Sequence, residues 1–161
     1  MADRSPAQIT IGGQIPLACI PALLRMIALD HALTLYSDEP VDEDHFMIGN
    51  VLELSIAQAV GGSAENTEDF CMNHGISFVR NSDGYPGSYD AQRLLFSGNG
   101  NPLYYTLSDD GEVVLNPLEF RALGSYEAVE AWFHAAEWTP DPISFDVAMV
   151  TTHETGEINH G

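Results

Sequence analysis

Lysine is absent from this chain of 161 residues, and five arginines are its only bases against 24 acidic residues. Without lysine there is no Schiff-base chemistry and no lysine for a phosphate loop. The resulting net charge of −19 repels phosphate and anionic lipid headgroups, which argues against direct nucleic-acid binding and against a membrane partner. Cysteine is scarce too. Cys19 and Cys71 lie far apart in the sequence and read as buried small hydrophobes rather than as a disulfide. No apolar run approaches the roughly 20 residues of a membrane span. The opening Met-Ala-Asp-Arg-Ser-Pro lacks the basic and apolar regions of a secretory signal, so the expected localisation is cytoplasmic.

What remains describes a globular chain. Hydrophobic residues make up 45%, with seven Phe, six Tyr and two Trp, enough for a packed core and unlike a disordered or fibrous composition. The length fits one domain, expected over residues 1–150, followed by a disordered polar tail at 151–161.

Local patterns outline its elements. Residues 8–11 alternate and stop at Gly12-Gly13, as a strand would. Leu17, Ile20, Leu24 and Ile27 recur on one face of a predicted helix, with Pro16 or Pro21 near its start. A second strand is expected over 32–36. An acidic loop or short helix follows at 37–44. Residues 51–56 alternate Leu52, Leu54 and Ile56 on one side, favouring a strand, with a helix over 45–60 as the alternative. A helix over 63–73 has acids early and Gly75 past its end. Strands at 76–80, 93–96, 103–107 and 112–115 are joined by turn-forming clusters. A last helix, capped by Ser125, places Tyr126, Val129, Phe133 and Ala136 inward, and 143–149 forms a closing strand. Interleaved helices and hairpins predict an α+β fold, a mostly antiparallel sheet with helices packed on one face.

No motif identifies a chemistry. Cys71 and His74 form a C-x-x-H, but no second pair completes a zinc site. Residues 38–44 lack the central Gly and closing Glu of a calcium loop. His153 and His160 in the tail do not form H-E-x-x-H. Nucleophile elbows are missing, a Cys–His pair depends on the fold, and 24 carboxylates leave any acid–base pair arbitrary. Tyr85 to Asp90 reads as a surface turn before a ligand loop. Trp132, Phe133 and Trp138 lie near Glu130 and Glu137, either as anchors of an interface or as the helix's own core. The expectation is no enzyme, no cofactor and no metal.

The acids are unevenly placed. Residues 26–79 and the chain after Arg121 contain no base. Uncompensated charge of this kind destabilises a compact fold and attracts basic surfaces. A short, strongly negative domain with base-free tracts and no catalytic signature resembles the small acidic inhibitors of phages and mobile elements, including anti-CRISPR and other DNA-mimic proteins. That resemblance implies an acidic interaction protein that binds the basic nucleic-acid-binding surface of a protein partner and inhibits it. The expected contact residues are Asp38, Glu39, Asp42, Glu43, Asp44, Glu65, Glu68 and Asp69, projecting outward from neighbouring elements. The alternatives are an immunity protein neutralising a basic toxin, a small enzyme with an unrecognised site, and acidity that serves only solubility or salt adaptation with no partner. Elemental analysis and ultraviolet spectra of protein purified without a metal-affinity step are expected to show no stoichiometric metal or nucleotide; one zinc per chain would overturn this.

Overall fold

The computed structural model describes residues 2–146. Its centre is β1 (Arg4–Gly12), where Ala7, Ile9 and Ile11 point to one side and are buried while Gln8 and Thr10 point to the other. β1 pairs antiparallel with β4 (Leu52–Val60) on one flank and with β5 (Ser77–Ser82) on the other. The short β3 (Leu33–Thr34) extends the β4 edge, and β6 (Gln92–Phe96) and β7 (Leu103–Thr106) extend the other. The order is β3-β4-β1-β5-β6-β7, antiparallel throughout. This is the expected α+β sheet, and the strand expected at 51–56 is present from Leu52, with Leu52, Leu54 and Ile56 buried against the helices.

Two helices cover one face. α1 (Ile20–Leu29) carries Pro21 in its first turn, where a missing N–H costs no helical hydrogen bond. α2 (Glu65–His74) ends at Gly75, whose φ of 68° is the left-handed cap that glycine adopts without strain. With Ile9, Ile11, Leu54, Phe78, Leu23, Ile27 and Cys71 they enclose the larger core. β5 is buried on both sides, with Phe78 on one and Val79 on the other, so a second layer covers the far face. Val79, Leu95 and Tyr105 face α4 (Tyr126–Ala136), which packs Trp132 and Ala136 onto them. The Trp132 ring meets Tyr105 edge-on at 5.0 Å. Behind β1, β2 (Gln14–Pro16) pairs in parallel with β8 (Ser144–Asp146). Gly12 is required there, because a Cβ would collide with the Asp141 carbonyl of the returning chain.

Three expectations change. Leu17 does not lie on the helix but in a 3-10 turn (Leu17–Cys19), whose three residues per turn put it out of phase, and it is 44% exposed. Leu23 fills the core instead, and Leu24 is half-buried. On α4 the large indole of Trp132 sets the rotation, leaving Tyr126 exposed and Val129 and Phe133 half-buried. Residues 112–115 form only a bridge from Val113 to Leu107 before the chain enters α3 (Pro117–Leu123). Asn116 caps that helix by accepting the Glu119 N–H at 2.8 Å, with Pro117 at its first position and Gly124 past its end. The tail at 151–161 and the end of the expected closing strand lie outside the described residues.

Leu23→Ala is expected to cost about 2–5 kcal/mol, as buried leucine truncations do. Leu17→Ala is expected to cost about 0.5 kcal/mol or less. Urea denaturation checks both, and equal losses would place Leu17 in the core.

Candidate interaction surface

The sequence-selected acids separate into an exposed majority and one that is not available to any partner. The segment carrying Asp38 to Asp44 leaves β3 through a turn in which Asp38 adopts φ 52° and donates its N–H to the Thr34 carbonyl at 3.0 Å. Thr34 Oγ1 accepts the Glu39 N–H at 2.9 Å, and Pro40 bridges back to Leu33. Asp42 then caps a 3-10 turn (Glu43–His45): its carboxylate accepts the Asp44 N–H at 2.9 Å, and His45 Nδ1 accepts the Asp42 N–H at 3.0 Å. Backbone bonding therefore holds this loop in shape. Asp38, Glu39, Asp42, Glu43 and Asp44 are all exposed along it.

Glu65 and Asp69 are exposed on α2. Glu68 is a correction to the expected surface. It is 5% exposed, because one turn of helix rotates it onto the sheet, where it meets Arg80 of β5. Arg80 Nε and Nη2 bond the two Glu68 oxygens at 3.0 and 3.3 Å. Nη1 reaches Ser82 and Gln92 at 2.9 and 3.2 Å, and Nη2 also meets Ser63. Every N–H of the guanidinium thus has an acceptor, the condition for burying such a group. Glu68 also accepts the Ala64 N–H at the start of α2. Asp30, at the end of α1, accepts from Thr67 N at 2.7 Å and from Asn66 N at 3.3 Å. Acidic side chains so satisfy the amides at the positive end of α2, joining α1 to α2. A lone arginine within the apolar run 76–80 was the available sequence signal, since such a residue is buried only when paired.

The two exposed acidic segments do not merge into one row. Both the 3-10 turn at 43–45 and α2 pack against α1, which lies between them. The outer surface of α1 is apolar, with Leu29 59% exposed and Arg25 beside it. A hollow of about 400 Å³ opens between the end of α1 and the acidic loop, lined by Ile27, Ala28, His31 and Leu33 with Pro40 and Val41. The arrangement is an apolar strip with carboxylates on both flanks.

Other candidates resolve differently. The Tyr85–Tyr89 turn is pinned by Tyr85 N–H to the Tyr89 carbonyl at 2.8 Å and by Tyr89 Oη to Ser5 Oγ at 2.9 Å. It lines an open cleft of about 680 Å³ whose ionisable side chains are Asp83, Asp90 and Asp109 with the two tyrosines, and no His or Cys joins them. Trp132 and Trp138 are half-buried and pack against the smaller core, as the helix's own packing. Burial pushes the Cys71 thiol up, with the Glu68 carboxylate adding to the effect, so it stays protonated and unreactive. Among the described residues no three His, Cys, Asp or Glu side chains come together as a metal site would need, and no helix is long and apolar enough to cross a membrane. His153 and His160 lie outside the described residues. No protein-family model, curated protein or solved structure matches this chain.

Glu68→Gln is expected to destabilise the fold by about 3–5 kcal/mol, because it leaves Arg80 buried and uncompensated. Asp69→Asn, one residue along and exposed, is expected to change stability by about 0.5 kcal/mol or less. Equal effects in urea denaturation would contradict the buried pair. The folded state also keeps the Cys71 proton that the unfolded chain releases as pH rises past about 9. This contribution to stability is present below that pH and is lost above it. Denaturation at pH 8 and pH 10 is expected to show a decline that Cys71→Ala reduces.

Proposed function

We propose that this protein is an acidic interaction protein that binds the basic, nucleic-acid-binding surface of a protein partner and inhibits it. The observation that supports the reading most is the ordered, exposed run Asp38, Glu39, Asp42, Glu43 and Asp44 beside the apolar strip of α1. Among the described residues other than Asp146, no arginine pairs with a surface carboxylate, since the Arg–carboxylate ion pair is the buried Glu68–Arg80. Such a field speeds encounter with a basic surface and repels nucleic acid, so the partner's own ligand competes for the same groove. Glu65 and Asp69 extend the negative surface across α1. Glu68 serves the interior.

The partner is sought by capture from lysate at low salt and elution with rising salt. Reversing Asp38, Glu39, Glu43 and Asp44 to Lys is expected to slow association with it by about tenfold and to flatten its salt dependence, because rim charges act chiefly on encounter rate. Asp42 is left intact because it caps the loop. Stability is expected to fall by no more than about 1 kcal/mol, since the four side chains are exposed and lie in a repulsive field, and only Asp38, at φ 52°, holds a left-handed conformation that lysine adopts less readily than aspartate. DNA or RNA is expected to displace the protein from its partner. An unchanged rate and salt slope for the reversed variant, or a partner indifferent to nucleic acid, would overturn the proposal.

A further inference from the structure

The hollow at the end of α1 opens onto the core itself. Its floor is Ile27 and Ala32, both buried in the larger core, and Val41 packs against that core from the loop side. A side chain entering the hollow therefore extends an apolar interior. Its volume of about 400 Å³ is at the small end of the ligand-pocket range of about 300–1,000 Å³, and it suits one or two large side chains. A neighbouring hollow of about 430 Å³, lined by Arg25, Met26 and Leu29, shares Ala28 and His31 with the first. His31 holds this shared wall in an unusual conformation. Its N–H bonds the Ala28 carbonyl at 3.1 Å and the Ala32 N–H bonds the Ile27 carbonyl at 3.2 Å, a helix stop at φ 58°. Glycine is the usual residue there, as Gly75 is after α2. A non-glycine residue in that region is strained, and it supplies a side chain between the hollows where glycine would leave none.

The charges at the mouth are placed by contacts. Pro40 and Val41 line the hollow, and Glu39 and Asp42 flank them in the chain. Both carboxylates stand beside one imidazole: Asp42 Oδ1 lies 3.1 Å from His45 Nδ1, and Glu39 Oε2 lies 3.9 Å from His45 Nε2. They remain 64% and 63% exposed, open to a further cation. Arg25 lies at the other end, in the neighbouring hollow. We infer that this hollow receives an aromatic or aliphatic side chain of a protein partner, presented beside a Lys or Arg that meets Glu39 and Asp42 at the loop end. The apolar floor selects the anchor and the carboxylate pair selects the base next to it, which gives the contact an apolar centre and a charged border. A second copy of this chain offers no lysine and brings −19 of its own. The inference rests on reading the chain as an acidic interaction protein, and it names what the partner carries: an exposed apolar side chain among its basic residues.

The probes are three capped peptides: Lys-Lys-Phe-Lys-Lys, the same with Gly in place of Phe, and the same with Gln in place of each Lys. Each is titrated into the full chain at pH 8 and low salt, with amide chemical shifts as the readout. The first is expected to bind about tenfold more tightly than the Gly peptide, the loss typical of removing a buried anchor. It is expected to bind about fivefold more tightly than the Gln peptide, a difference that added salt removes. The shifts are expected to centre on Ala28, Ala32 and Val41. Ala28→Trp, at an exposed helix position, fills the mouth and is expected to erase the preference for Phe while far-ultraviolet circular dichroism matches wild type. His31→Gly is expected to leave Tm unchanged, because glycine adopts the left-handed stop without strain, and to weaken the Phe peptide by about threefold through loss of one wall. Equal affinity for the Phe and Gly peptides, or a Phe preference that survives Ala28→Trp, would overturn the anchor and leave the acidic-interaction reading standing. Equal affinity for the Lys and Gln peptides at low salt would overturn the basic occupant and that reading with it. No shift at these amides with any peptide would overturn the anchor. A dimer in sedimentation that Ala28→Trp dissociates would assign the hollow to a second copy and overturn the basic occupant.

Discussion

Arginine, in short supply, fastens both faces of the sheet. Arg80 of β5 reaches through the larger core side to hold α2 by Glu68. Arg93 of β6 points to the other face, where its Nε and Nη2 bond the Ala136 and Trp138 carbonyls at 2.7 and 2.8 Å. That places a cation at the negative end of α4, where it is favourable. Its Nη1 also meets Asn81 at 3.2 Å, tying the helix end to β5. Each helix layer is thereby joined to the central strands by a directional polar contact as well as by apolar burial.

The consequence for the surface is direct. With Arg80 and Arg93 engaged inside, the exposed arginines are Arg4, Arg25 and Arg121. They are too few to offset the carboxylates, so the exterior is more one-sided than composition alone implies. A fold under such repulsion needs strong internal order, and the acidic loop at 38–44 has it through Thr34, Asp42 and His45. Negative charge held in a fixed shape is what recognition requires, whereas a mobile acidic tract would lose entropy on binding.

The α1 side presents a long acidic border around a shallow apolar strip, suited to fast, salt-dependent encounter.

The sequence by itself determined the charge and those elements whose signals are local. The alternation of Leu52, Leu54 and Ile56, the left-handed stop at Gly75 and the cap at Ser125 all appear in the structure, because each depends on neighbours within a turn or a strand. The Asn116-Pro117-x-Glu119 signature was equally local and marks α3, just beyond the strand expected at 112–115. Only the tertiary structure decided which way ambiguous side chains face. Glu68 turns inward because Arg80 stands across from it, and Trp132 rather than Tyr126 turns inward because Val79, Leu95 and Tyr105 offer an apolar seat. Leu17 falls outside the core because a 3-10 turn shifts its phase. Pairings of this kind join residues far apart in the chain, and helical or strand periodicity contains no information about what lies opposite.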